Sequence, residues 1–268
     1  MFKVEDNFYL INAFTKDPFK GNPAAIVLLN EEKSDEWLKS YAQEINQPIT
    51  TFVKKDQEGY NLRWFTPTSE IALCGHGTLG AANILFEECC VNSSIIQFNT
   101  EAGTLYAEQT ANKIKLTFKI KTADTIEPAD HFKYLINYPI RQLAWAEDRY
   151  IIELGSETEV KNAIPDMEKI KELDGIGLVI TSRSHEPFDF VSRYFAPKVG
   201  IGEDYVTGSA HCALASYWKD IFKKERFLAF QDSPRGGEIE MNIKGDNVEL
   251  MGDCVTLIKG NLHRIVIT

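Results

Sequence analysis

Apolar and polar positions along the chain predict the same series of elements twice. From Ser34 the pattern reads as an amphipathic helix ("SDEWLKSYAQEIN"), two strands ("TTFVKK", "YNLRWFTP"), a loop, a helix opening at "GHGTLGAANILFEE", and the strands of "IIQFNTEAGTLYAEQTANKIKLTF". From Glu157 it reads as a helix ("ETEVKNAIPDMEKIKEL"), strands "GLVITSR" and "FDFVSRYFAP", a loop, a helix opening at "TGSAHCALASYWKD", and the strands of "FLAFQDSPRGGEIEMNIKGDNVELMG". "RWFTP" at Arg63 and "RYFAP" at Arg193 hold the two copies in register. This predicts an α+β protein of two similar halves, 1–122 and 123–257, with a last strand near 258–268 returning to the first half. The polar stretch Lys121 to Phe132, with a proline and several charges, reads as a linker.

In each copy a loop turns into a Gly/Ala-rich helix. Gly75 and Gly77 stand at the first of these starts, Gly208 and Ser209 at the second. There the leading backbone N–H groups lack intrahelical partners and the helix dipole places partial positive charge. Such an end receives a carboxylate or phosphate when glycine keeps side chains away. Thr78, Thr207 and Ser209 add hydroxyls that either donate to a ligand or cap the helices. If the halves face each other, both helix starts point into one cleft, and the expected partner is a small anionic metabolite. The competing reading is that these glycines only let buried helices pack closely.

Composition narrows the partners further. The 268 residues are 44% hydrophobic and 25% charged, with a formal net charge of -10, which argues against nucleic acid or an anionic membrane surface. The acidic "MFKVEDNFYL" does not resemble a signal peptide and no apolar run reaches spanning length, so a cytoplasmic location is expected. Five cysteines, with Cys89 and Cys90 adjacent and no CxxC, indicate neither a disulfide framework nor a metal site. Nucleotide-binding, serine-hydrolase and zinc-protease motifs are absent.

Glu44 is the carboxylate with a geometric argument for chemistry. It shares a helical stripe with Trp37 and Tyr41, at the edge of the apolar face and in the last turn. Partial burial and the negative end of the dipole would there disfavour its ionised form, the tuning a general acid/base needs. His76 sits between the two helix-start glycines and Asp204 shortly precedes the second helix, so both are candidates to meet a ligand. Cys74 and His76, two apart on a strand-to-helix turn, are expected to point apart, leaving Cys74 to pack. His211 and Cys212 read as packing residues.

At "NAFTKDPFKGNPAAIVLL", "AQEINQPITTFV", "LRWFTPTSEIALCGHGTLGAA" and "EDYVTGSAHCALA" the chain resembles the PhzF-like (phenazine biosynthesis) family of the diaminopimelate epimerase superfamily. The resemblance implies a diaminopimelate epimerase-like α+β fold: two similar halves, each a curved, mostly antiparallel sheet around a central helix, with the active site between them. It also implies a homodimer, no cofactor, and an acid/base glutamate at Glu44 that moves a proton between carbons of a small cyclic carboxylic acid. His76, Asp204 and Ser209 fall on the family's substrate-surrounding residues. The superfamily's two-cysteine epimerases align their thiols with Gly80 and Thr207, where this chain has none. The function expected is therefore a cofactor-independent isomerase. A dehydratase or lyase on the same scaffold, and a non-catalytic binding or scaffold protein, are the alternatives.

Overall fold

The computed structural model describes residues 6–89, 91 and 93–262; Cys90 and the end of the last predicted strand, 263–268, lie outside them. The chain divides into two compact units, Met1–Thr117 with Met251–Thr268, and Phe118–Leu250. In chain order the first stretch contains β1 (Asn7–Ala13), β2 (Asn22–Leu29), α1 (Asp35–Ile45), β3 (Thr50–Asp56), β4 (Gly59–Phe65), β5 (Glu70–Ile71), α2 (Gly75–Glu88), β6 (Ile95–Thr100), β7 (Gly103–Gln109) and β8 (Ile114–Lys119). The second contains β9 (Asp124–Ile126), β10 (Gln142–Ala146), β11 (Arg149–Glu153), α3 (Glu157–Asn162), α4 (Met167–Glu172), β12 (Gly177–Arg183), β13 (Phe190–Ala196), β14 (Ile201–Asp204), α5 (Gly208–Phe222), β15 (Arg226–Gln231), β16 (Gly237–Lys244) and β17 (Asn247–Gly252). β18 (Cys254–Asn261) ends the described chain.

Strand pairing repeats with the sequence. In the first unit β18 pairs with β1, β1 with β2, β3 with β4, β6 with β7 and β7 with β8, all antiparallel. The parallel pairs β2–β3 and β4–β6 are those whose connections contain α1 and α2. In the second unit β9–β10, β10–β11, β12–β13 and β15–β16 are antiparallel, while β11–β12 and β13–β15 are parallel across α3/α4 and α5. The outer strand beside β1 is β18, from the far end of the chain; its counterpart beside β10 is β9, which directly precedes that unit's hairpin. The presumed linker Lys121 to Phe132 thus carries a sheet strand, and Phe132 is buried in the second unit's core.

Each unit keeps one long helix buried on every side and lined mostly by apolar residues. Gly77 to Leu85 of α2 are buried without interruption, as are Ala210 to Ala215 with Tyr217 and Trp218 of α5. A helix buried all round cannot show an amphipathic stripe. α2 packs on β1, β2, β3, β7 and β18, and the Trp218 indole stacks on Phe190 of β13 at 5.5 Å. α1 is amphipathic, and its Leu38, Tyr41 and Ala42 join Val27, Phe52 and Phe65 in a separate cluster. The helix predicted across Glu157 to Leu173 is two short helices instead. Pro165 cannot donate a hydrogen bond and holds the preceding residue extended, and Asp166 restarts the helix by accepting from the Lys169 N–H. Among the described residues no helix is long and apolar enough to cross a membrane, and no group of three His, Cys, Asp or Glu side chains is placed to hold a metal ion.

His211 is a core residue, as expected from its depth in the helix: it is fully buried, stacks on Phe190, and its Nδ1 lies 2.8 Å from the Thr207 carbonyl. Desolvation pushes its pKa down to about 4, the carbonyl contact opposing the shift. The unfolded chain takes up this proton at the ordinary value of about 6.5. His211 therefore destabilises the fold progressively as pH falls from that value toward 4, and is neutral in both states above it. Urea unfolding between pH 7.5 and 5 is expected to show a steeper loss in wild type than in His211→Gln; equal slopes would contradict the assignment.

Candidate functional site

α2 opens at an N-cap, Cys74, in extended conformation (φ −140°, ψ 110°), and α5 at Thr207 (φ −116°, ψ 102°). Neither cap side chain accepts from a backbone N–H in the first turn of its helix. The remaining α-helices are capped by Ser34, Ser156 and Asp166. Cys74-Gly75-His76-Gly77 and Thr207-Gly208-Ser209-Ala210 are thus equivalent local structures. Within the repeat the counterpart of Thr207 is therefore the other N-cap, Cys74, and not Gly80. Gly80 lies within α2, where a Cβ would come within 2.7 Å of the Ile11 side chain.

In the first unit the Cys74 sulfur lies 3.5 Å from His76 Nδ1, so the two side chains meet, contrary to expectation. The compact first turn brings both onto one side. The Asn22 amide nitrogen is 3.4 Å from the same Nδ1. An amide nitrogen only donates, which makes Nδ1 the acceptor and places the neutral ring's proton on Nε2. Asn22 belongs to "GNP", a turn pattern in which nothing singles out the asparagine. Its neighbour Gly21 adopts φ +67°, and a Cβ there would stand 2.2 Å from the Ala13 carbonyl oxygen. That turn delivers Asn22 to the histidine.

Two residues of this helix start serve packing. A Cβ on Gly77 would meet Thr51 Oγ1 at 2.5 Å and Trp64 Cδ1 at 3.0 Å, so this glycine seats α2 against β3 and β4. Thr78 is fully buried and donates its hydroxyl hydrogen to the Cys74 carbonyl at 2.6 Å, which removes it as a direct ligand donor. Gly75 and His76 are half-buried.

Glu44 departs from the expected partial burial: it is exposed, and among the described residues its carboxylate has no hydrogen-bond or ion-pair partner. The apolar stripe of α1 runs Trp37, Tyr41, Ile45, with the first two rings stacked at 5.1 Å. Each step of four rotates the stripe by about 40°, so in the last turn it runs along Ile45, about 100° from Glu44, although Glu44 stays within about 20° of Trp37 two turns earlier. The helix ends at Asn46 in the left-handed region (φ 51°), whose N–H bonds the Ala42 carbonyl.

In the second unit Thr207 Oγ1 donates to Asp204 Oδ2 at 2.5 Å. Thr207 therefore holds Asp204 and does not offer its own hydroxyl hydrogen to a ligand. Gln231, fully buried on β15, completes this loop: its amide donates to the Asp204 carbonyl at 2.7 Å and its oxygen accepts from the Thr207 N–H at 2.8 Å. Nothing in the pattern of "FLAFQDS" separates this glutamine from other strand polar residues. Ser209 is half-buried, Gly208 is buried, and the Ser209 hydroxyl oxygen accepts from Arg149 Nη1 at 3.1 Å.

The anchors that revealed the repeat set both loops. Arg63 forks onto Glu70 of β5 at 2.7 and 2.8 Å and bonds Asp35 of α1 at 2.7 Å. Arg193 forks onto Glu203 of β14 at 2.7 and 3.0 Å and bonds the Ala163 carbonyl beyond α3 at 2.8 Å. Each arginine thus ties the strand before a buried helix to an outer helix of the same unit, through the planar two-toothed geometry only a guanidinium has.

The fold is of the α+β type shared with diaminopimelate epimerase-like proteins, and a probable proline racemase from Agrobacterium radiobacter has it too, with a TM-score of 0.65 at 10% identity over 96% of this chain and 93% of that one. Residues 11–260 match the model of the phenazine biosynthesis-like (PhzC-PhzF) family, and the chain belongs to that family. An uncharacterized isomerase from Halalkalibacterium halodurans is 39% identical over 95% of this chain and 97% of its own. A PhzF family structure from Enterococcus faecalis superimposes with a TM-score of 0.93 at 33% identity, covering 97% of this chain and all of that one. Relatives named isomerase support an isomerase-type function.

Gly77→Ala is expected to destabilise the protein by about 1–3 kcal/mol, because the overpacking cost exceeds the helix-propensity gain of about 1 kcal/mol. Urea unfolding measures this, and a stabilised variant would show that the glycine is not a packing residue.

Proposed function

We propose that the protein is a cofactor-independent isomerase that moves a proton between carbons of a small carboxylate-bearing metabolite. The observation that carries this reading is the matched pair of helix starts at Cys74-Gly75-His76 and Thr207-Gly208-Ser209, neither stopped by its own cap side chain. Both present the positive end of a helix, which suits an anion. Family membership and the relatives named isomerase support the reaction class.

In this reading backbone groups at Gly75 and Gly208 and the Ser209 hydroxyl bind the substrate, with His76 and Asp204 fixing its orientation. Gly77, Thr78 and Thr207 support these residues from behind. Glu44 takes a proton from one carbon, leaving the electron pair delocalised toward the substrate's unsaturation, and returns it to another carbon. Its exposed position at a helix end lets the carboxylate meet a ligand without first breaking a described contact. A homodimer, as the family resemblance implies, is part of the proposal; light scattering on the purified protein measures it.

Mass spectrometry of metabolites retained from a cell extract, followed by turnover in deuterium oxide, tests the reading. The product is expected to keep the substrate's mass apart from deuterium at carbon; loss of water would indicate a dehydratase, and no exchange a binding protein. Glu44→Gln is expected to lose at least about 100-fold in turnover, since an amide cannot act as the base. Undiminished turnover in that variant would refute the role of Glu44.

A further inference from the structure

Arg149 opens β11 with 1% of its surface exposed, and a guanidinium so buried has to be matched by neighbours. Asp148 takes one edge, accepting from Nε at 2.7 Å and from Nη2 at 3.0 Å. The Tyr194 ring lies 5.0 Å from the guanidinium carbon. Lys121 joins from the far side, 3.3 Å from Asp148 and 3.1 Å from Glu147. The other edge of the guanidinium points at the start of α5, where Nη1 donates to the Ser209 hydroxyl oxygen at 3.1 Å.

Two features of this contact bear on ligand binding. A cation beside a helix N-terminus opposes the dipole, so α5 gains no stability from having it there. A serine hydroxyl has one hydrogen and two acceptor sites. With a guanidinium N–H on one acceptor site, the single hydrogen is directed away from Arg149, and the cation polarises it toward stronger donation. Thr78 shows the alternative in the same protein: its hydroxyl turns back onto the Cys74 carbonyl.

We propose that Arg149 is a positioning residue, acting through Ser209: it fixes that hydroxyl as an outward donor and makes the start of α5 select a carboxylate over its neutral isostere. This rests on the reading above in which Ser209 touches the substrate. Asp148 offsets the guanidinium charge and so limits the attraction.

The test uses the full chain with benzoate as the carboxylate probe and benzamide as its neutral counterpart, followed by amide NMR shifts at Ser209 and Ala210. Ser209→Ala and Arg149→Met are each expected to weaken benzoate binding by about 10-fold, the scale of one hydrogen bond to a charged group, with little change for benzamide. The double variant is expected to bind no more weakly than either single variant, because both remove one interaction. Asp148→Asn is expected to tighten benzoate binding several-fold, the reverse of what loss of a purely structural ion pair would do. Additive losses in the double variant, or unchanged or weaker binding in Asp148→Asn, would overturn the proposal. Asp148→Asn decides alone should Arg149→Met fail to fold. Unaltered benzoate binding in Ser209→Ala, or no shift at α5 in wild type, would instead remove the underlying reading of Ser209.

Discussion

A helix buried on all sides has no solvent face on which to put polar groups, and this constraint organises both units. α2 and α5 meet it with mostly glycine, alanine and bulky apolar side chains, and their few buried polar groups, such as Thr78 and His211, turn back onto the backbone of their own helix start. Their backbones satisfy themselves through the middle, so unmet hydrogen-bonding demand collects at the ends. The polar residues of interest accordingly lie at the helix starts, where the chain enters from a loop.

Holding those starts in place falls to side chains elsewhere in each unit. Arg63 with Glu70 and Arg193 with Glu203 pin the short strands that lead into the helices. Gln231 anchors the Asp204–Thr207 turn through three polar atoms, and the turn at Gly21 sets Asn22 against His76. The residues first seen as possible ligands thus separate into two groups. Ser209 and His76 offer polar atoms at a helix start, whereas Thr78, Thr207 and Gly77 are committed to the framework around them.

Cys74 shows how a position acquires meaning from its counterpart. Judged alone, its thiol is a small buried group next to a histidine. As the N-cap equivalent to Thr207 it belongs to a local structure that the repeat duplicates, with a thiol in one copy and a hydroxyl in the other.

The α+β class, the repeated order of elements and the two Gly-rich helix starts were legible in the chain, because periodicity and glycine placement are local properties written within a dozen residues. The repeat anchors Arg63 and Arg193 were legible as markers, though their ion pairs were not. Tertiary structure alone decided the exposure of Glu44, the meeting of Cys74 with His76, the division of the predicted helix at Pro165 into two and the commitment of Thr207 to Asp204. It also decided the burial of Arg149 behind Ser209, sixty residues away in sequence. Each of these depends on which distant side chain fills the adjoining space, and a linear pattern carries no record of that.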